Sequence, residues 1–164
     1  PNDVRSKLNE FQIFSYFVLY FEQRWGEFPK DVDFPAHAFA TIGTHDVPSL
    51  QSFWHCRDLE LFAQLQVLDG EHLQQKYEQR VQAKQALLNS LHRDNYLPPD
   101  YQGDAMSMAM HDNLMRVIHQ YIAESHSRLI GVQLENLINQ EISFNLPGTS
   151  SEYPNWRRKL AINL

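Results

Sequence analysis

The residues best suited to chemistry stand together at Thr44-His45-Asp46, where a short apolar run, Ala38-Phe39-Ala40-Thr41-Ile42-Gly43, stops abruptly and Pro48 follows. An ionised Asp accepts hydrogen bonds through two coplanar oxygens, so it can bind the hydroxyls of a sugar. A carboxylate at the carboxyl end of an apolar strand is also where α/β barrels carry their catalytic face. Asp is equally a favoured helix cap, and a helix is expected to begin near Ser49. The local sequence leaves both readings open.

A second candidate is the tail Asn145-Leu146-Pro147-Gly148-Thr149, continued by Tyr153-Pro154-Asn155-Trp156-Arg157-Arg158-Lys159. Amides and aromatic faces beside prolines can form a sugar-binding rim. The structural alternative has Trp156 packing down and the basic run solvated. The remaining candidates carry less. His92, His111 and His119 lack the His-Glu-x-x-His spacing of a zinc helix. His55-Cys56 lies on an apolar segment, where a cysteine behaves as a small hydrophobe. Met106, Met108, Met110 and Met115 read as core filler, and the charges of residues 71–93 as a solvated face. Nothing in the sequence calls for a cofactor or a metal.

Composition narrows the classes. The 164 residues are 43% hydrophobic and 12% aromatic, which suits a packed domain rather than a disordered chain. A net charge of −6 speaks against a nucleic-acid binder, which needs a basic face to displace phosphate counterions. Cys56 is the single cysteine, so an intrachain disulfide framework is excluded and a cytoplasmic setting is expected. No run approaches the roughly 20 apolar residues of a membrane span. The sequence opens at Pro1 directly in amphipathic sequence, and a fragment of a longer protein is expected.

The elements that must position these residues follow from periodicity. Residues 2–10 space Val4, Leu8 and Phe11 as a short helix. The dense run 14–21 suits a strand buried on both faces, and residues 23–35, with Gly26, Pro29 and Pro35, a loop. Residues 38–43 form a second strand. Leu50, Phe53, Trp54, Leu61, Phe62 and Leu65 predict one helix over 50–68. Residues 71–91 predict a long, partly exposed helix, and 93–103, with Pro98 and Pro99, a linker; together, 71–103 reads as a helical insertion and linker within a single partial domain covering 1–164. A helix is expected over 106–125, a third strand over 128–132 and a helical turn over 133–138. Strands separated by helices predict an α/β fold with about three short parallel strands, helical by residue count. Three strands cannot close a barrel by themselves, because closure links strand number, tilt and shear. Their unpaired edges invite association of the chain with itself.

These motifs carry a resemblance. Gly43-Thr44-His45-Asp46-Val47-Pro48-Ser49-Leu50, with Trp54 following, resembles the Thr-His-Asp-Leu-Pro-Thr-Leu…Trp segment of the amylomaltases, glycoside hydrolase family 77. The run Ser127 through Leu137 is similar to that family's last barrel strand, and Asn145 through Leu160 to its C-terminal signature. The likeness extends nearly end to end. It implies the C-terminal part of a (β/α)8 TIM barrel from a 4-α-glucanotransferase. Such enzymes act on α-1,4-glucans and maltooligosaccharides by a retaining double displacement. By motif, Asp46 matches the family's third carboxylate, a transition-state stabiliser, and His45 its sugar-contacting neighbour. Asn145, Pro147 and Gly148 match a loop bordering the active site. Phe21 and Glu22, at the end of the sixth strand, match subsite contacts more loosely. The family's nucleophile and acid/base have no counterpart here, so the isolated chain is expected to be inactive. The alternative is a non-catalytic glucan-binding or interaction module.

Overall fold

Three short apolar runs pair into one sheet: β1 (Ser15–Val18), β2 (Ala38–Thr41) and β3 (Leu129–Gly131). A computed structural model of the chain describes residues 2–101, 103–160 and 162. The strand order is β1-β2-β3 and both pairings are parallel, with Phe17 opposite Ala40 and Ala40 opposite Ile130. Parallel neighbours need crossover connections, and the chain supplies them in two styles. Between β1 and β2 the link is irregular, with 3-10 turns at Leu19–Phe21 and Asp31–Asp33. Between β2 and β3 the described residues form four helices: α2 (Leu50–His55), α3 (Arg57–Gln64), α4 (Gly70–Arg93) and α5 (Asp112–Ala123). α1 (Asn2–Glu10) precedes β1, and α6 (Leu134–Leu137) follows β3.

The two faces of the sheet differ because side chains alternate along each strand. Phe17 and Ala40 are buried on the helix side, with Ile130 packed against the same core. Phe17 meets Phe34 at 4.5 Å between ring centroids, and Tyr121 of α5 meets Phe34 edge-on at 5.9 Å. Leu114, Ile118 and Ile122 line the inner face of α5, and Leu87, Leu88 and Leu91 that of α4, all fully buried. On the opposite face Tyr16, Phe39 and Leu129 are 54%, 38% and 47% exposed, and Tyr16 stacks on Phe39 at 5.6 Å. No helix among the described residues is long and apolar enough to cross a membrane.

The structure departs from the periodicity at several places. The expected strand over 14–21 is only Ser15–Val18, and the chain then rolls into a 3-10 turn, with the Tyr20 amide donating to Ile42 O at 3.2 Å. Apolar density there marks burial, since Leu19 is fully buried without being a strand residue. The expected helix over 50–68 is broken at Cys56, which adopts a left-handed φ of 60° as the C-cap of α2. Two basic side chains of α4 make that break tolerable. Arg80 donates to Phe53 O at 2.8 Å and Lys84 to Trp54 O at 3.1 Å, serving carbonyls that the interrupted helix leaves free. The helix expected over 106–125 begins only at Asp112, capped by His111, whose Nδ1 accepts from the Leu114 amide at 3.2 Å. Ahead of it, Met108 O accepts from Trp54 Nε1 at 2.8 Å and the Ala105 amide donates to Gln85 Oε1 at 3.0 Å. Side chains of α2 and α4 thus replace the helical ladder. The expected linker over 93–103 starts one residue later, since Arg93 is the last residue of α4; residues 94–101 are irregular, as two prolines require, but Leu97 is buried in the core and Tyr96 packs edge-on against Tyr121 at 5.5 Å.

Candidate functional site

Because the strands run parallel, their carboxyl ends share one edge, and the loops leaving that edge meet there. Beyond β2 the chain runs through buried Ile42 into a tight turn at Gly43 to Val47. The Asp46 amide donates to Thr44 Oγ1 at 3.1 Å and the Val47 amide to Thr44 O at 3.2 Å. Gly43 is required by crowding: a Cβ there would fall 2.9 Å from Gln133 Oε1 and 2.9 Å from Val47 Cγ2. The turn leaves the Asp46 side chain half exposed, with Oδ1 accepting from Asn145 Nδ2 at 2.6 Å and Oδ2 lying 3.2 Å from His45 Nε2. The His45 ring stands 5.1 Å from that of Trp156.

Asp46 does not cap α2. That role belongs to Ser49, whose side chain accepts from the Ser52 amide at 3.2 Å and donates to Gln140 O. The capping reading of Asp46 is therefore overturned, and its carboxylate is left for contacts outside the helix. Ser49→Ala should lower stability by about 1–2 kcal/mol, because the cap and a buried bond are lost together. Urea unfolding checks this, and an unchanged midpoint would count against the cap.

Asn145 is held by the loop that carries it. Leu146 and Thr149 close a turn, the Thr149 amide donating to Leu146 O at 3.2 Å with Gly148 at φ 85°. A positive φ at that position is the reason for glycine, and Pro147 presets the position before it. Asn155 staples the loop, accepting from the Leu146 amide at 2.8 Å and donating to Thr149 Oγ1 at 3.0 Å. Leu146 and Tyr153 are buried beneath it. Pro147 and Gly148 are exposed on this loop, beside Asn145.

The other expected site residues divide. Phe21 is 67% exposed and borders a groove of about 530 Å³ that also includes Tyr20, Gln23, Val47 and Pro48. Glu22 instead pairs with Arg5 at 2.6 Å and Arg24 at 3.5 Å, and its side chain is largely buried. Trp156 does not pack down: it is 62% exposed, at φ 60°, against His45. Two residues that the sequence did not single out bear on this region: Gln133, which donates to Thr44 O at 3.0 Å, and Arg80, which lines the groove beside Phe21. Among the described residues no group of three or more His, Cys, Asp or Glu side chains could hold a metal ion.

The α2–α3 junction is braced from below by Glu141, whose Oε1 lies 2.9 Å from His55 Nδ1 and whose Oε2 accepts from Arg57 Nε at 3.1 Å. Desolvation pushes this carboxyl up, but hydrogen bonds from His55 and Arg57, with their charge, outweigh it and hold it below its ordinary value. A depressed folded pKa contributes stability above the unfolded value of about 4.3 and loses it as pH falls through the lower folded value. At 38% side-chain exposure solvent screens the pairing, so it contributes no more than about 1 kcal/mol. The melting temperatures of the parent and Glu141→Gln should differ at pH 7 and converge as pH falls through the lowered folded value; a constant difference would contradict the assignment.

Comparison with known proteins places this geometry in a family. The family model described as 4-alpha-glucanotransferase matches residues 1–163. The chain belongs to that family. It is 78% identical over 161 residues to the 4-alpha-glucanotransferase of Haemophilus influenzae, an alignment covering 98% of this chain and 23% of that protein. It is 25% identical over 145 residues to the Mycobacterium bovis 4-alpha-glucanotransferase, covering 85% of this chain and 19% of that protein. The chain thus spans about a quarter or less of the length of the curated relatives it matches. Its fold is similar to the crystal structure of amylomaltase from Corynebacterium glutamicum, with a TM-score of 0.83 at 23% identity over 93% of this chain and 22% of that one.

Proposed function

We propose that this chain is the C-terminal part of an α-1,4-glucan glucanotransferase that moves glycosyl segments between maltodextrins by a retaining double displacement. The three parallel strands would be the last three of a (β/α)8 barrel. Supporting this, one face of the sheet is covered by helices, and the other bares Tyr16, Phe39 and Leu129, bulky side chains of the kind that fill a barrel interior in layers. The observation that carries the functional reading is Asp46, half exposed at the carboxyl edge of the sheet, with one oxygen on Asn145 and the other facing His45.

In the mechanism two carboxyl groups about 5–5.5 Å apart attack and protonate, and the transition state is oxocarbenium-like. Asp46 takes neither part. It accepts hydrogen bonds from the ring hydroxyls, more strongly as positive charge develops, while the Asn145 amide fixes its rotamer and His45 adds a donor beside it. Asn145, Pro147, Gly148 and Phe21 border the glucan. Glu22, ion-paired to Arg5 and Arg24, is the remaining subsite candidate. The nucleophile and acid/base belong to other parts of the parent enzyme, which would be cytoplasmic. Open strand edges in the isolated chain favour its self-association.

Maltotriose incubated with the purified 164-residue chain should yield neither glucose nor longer maltodextrins, whereas the full-length parent yields both. Covalent transfer requires an attacking group and a proton donor. Transfer products from the isolated chain, abolished by Asp46→Ala, would overturn this division of labour.

A further inference from the structure

The turn that carries Asp46 lies beyond the strand ladder, which ends at the pairing of Thr41 with Gly131. Besides its own backbone bond from Val47 to Thr44, its shape is set by contacts that come mostly from one stretch. Asn136 Oδ1 accepts from the Leu50 amide at 2.8 Å, Gln140 O accepts from Ser49 Oγ, and Asn139 Oδ1 accepts from Gln51 Nε2 at 3.1 Å. These bonds hold the exit of the turn into α2. Its entry is held by Gln133, just past β3, whose Nε2 donates to Thr44 O at 3.0 Å.

That carbonyl is the hub of the turn. It accepts from Val47 as well, and the same residue's hydroxyl accepts from the Asp46 amide. The amide of Gln133 lies against Gly43, with Oε1 2.9 Å from where a Cβ would stand, so only glycine at 43 admits this side chain. Oε1 is itself buried without a hydrogen-bond partner, which leaves the bond to Thr44 as the one polar contact of this side chain among the described residues. Leaving that oxygen buried and unpaired costs stability, so the Gln133–Thr44 contact is kept at an expense that packing alone does not explain.

We propose that Gln133 is a positioning residue for the reaction: it fixes Thr44 O and thereby aims the Asp46 carboxylate, complementing Asn145, which grips the carboxylate itself. This rests on the assignment of Asp46 above. Misplacing a transition-state group by a fraction of its bond length weakens catalysis more than substrate binding.

The test uses the full-length enzyme and maltotriose disproportionation, read well below each variant's melting temperature. Gln133→Met keeps the volume and removes the donor; Gln133→Glu keeps the shape and sets an acceptor against Thr44 O. Both should lower kcat about tenfold with KM within about twofold. Combined with Asp46→Asn, Gln133→Met should lower the residual kcat by no more than about twofold, because both act through one carboxylate. Undiminished kcat in both Gln133 variants, or losses that multiply fully in the double variant, would overturn the proposal while leaving Asp46 in place. Near-parental turnover of Asp46→Asn alone would remove the assignment on which it rests.

Discussion

Asp46→Asn in the full-length enzyme is expected to lower kcat by about 10²–10³-fold while changing KM far less. The substitution is chosen to isolate charge. An asparagine oxygen can still accept from Asn145 Nδ2, and the turn's backbone bonds to Thr44 do not involve the Asp46 side chain, so the local structure is retained. What disappears is a negative charge held beside His45, half open to solvent, that a bound glucan would cover. An acceptor for ring hydroxyls is useful to ground state and transition state alike; the charge is useful chiefly when the ring becomes cationic, and this places the loss in kcat. Maltose or maltotriose disproportionation with full kinetic curves is the measurement. Near-parental turnover would end the assignment. The helix-cap role is not available as a refuge, since Ser49 already fills it.

The largest stability effect is expected at Asp58. Arg80 gives it two parallel hydrogen bonds, 2.8 Å to Oδ1 and 2.7 Å to Oδ2, with side chains only 11% and 7% exposed. Burial alone would drive the guanidinium's pKa down. The hydrogen bonds and charge of Asp58 outweigh it and hold that pKa above its ordinary value. The guanidinium also lies 4.2 Å from the centre of the Phe53 ring, which in turn stacks on Tyr20 at 4.6 Å. Asp58→Ala leaves a buried, uncompensated cation and should cost about 3–5 kcal/mol, measured by urea unfolding of the intact protein. Replacing both partners with apolar residues of similar volume, as in Asp58→Leu with Arg80→Met, should cost much less. Equal losses from the single and the double replacement would mean that packing, not the stranded charge, decides the effect.

These two residues also show what a sequence exposes to reading. The place of Asp46 at a strand end was legible because its neighbours were: an apolar strand, an abrupt polar triplet and a proline form a local pattern over the eleven residues 38–48. The tail around Asn145 was visible for the same reason. Arg80 was not, because it stands in a charged helix whose pattern reads as solvated, and only the fold brings it to Asp58 and to the carbonyl of Phe53. The break at Cys56 was hidden for a related reason. Spacings of three, four and seven continue across it, and the side chains that let the helix stop come from α4. Trp156 misled in the opposite sense: large aromatics usually pack inward, and this one is held out against His45 by a left-handed backbone. The parallel strands were legible, while their lengths were not, since burial and strand geometry produce the same apolar run.

One bond described above has a consequence during synthesis. The Asn145 amide reaches Asp46 across 99 residues of chain. At a translation rate of roughly 5–20 residues per second, Asp46 waits about 5–20 s after its own incorporation before its partner even exists. Throughout that interval β1 and β2 can already pair, yet the Asp46 carboxylate stays without Asn145. The Asp46–Asn145 contact is therefore completed late, and a half-made chain carries Asp46 without the residue that holds it.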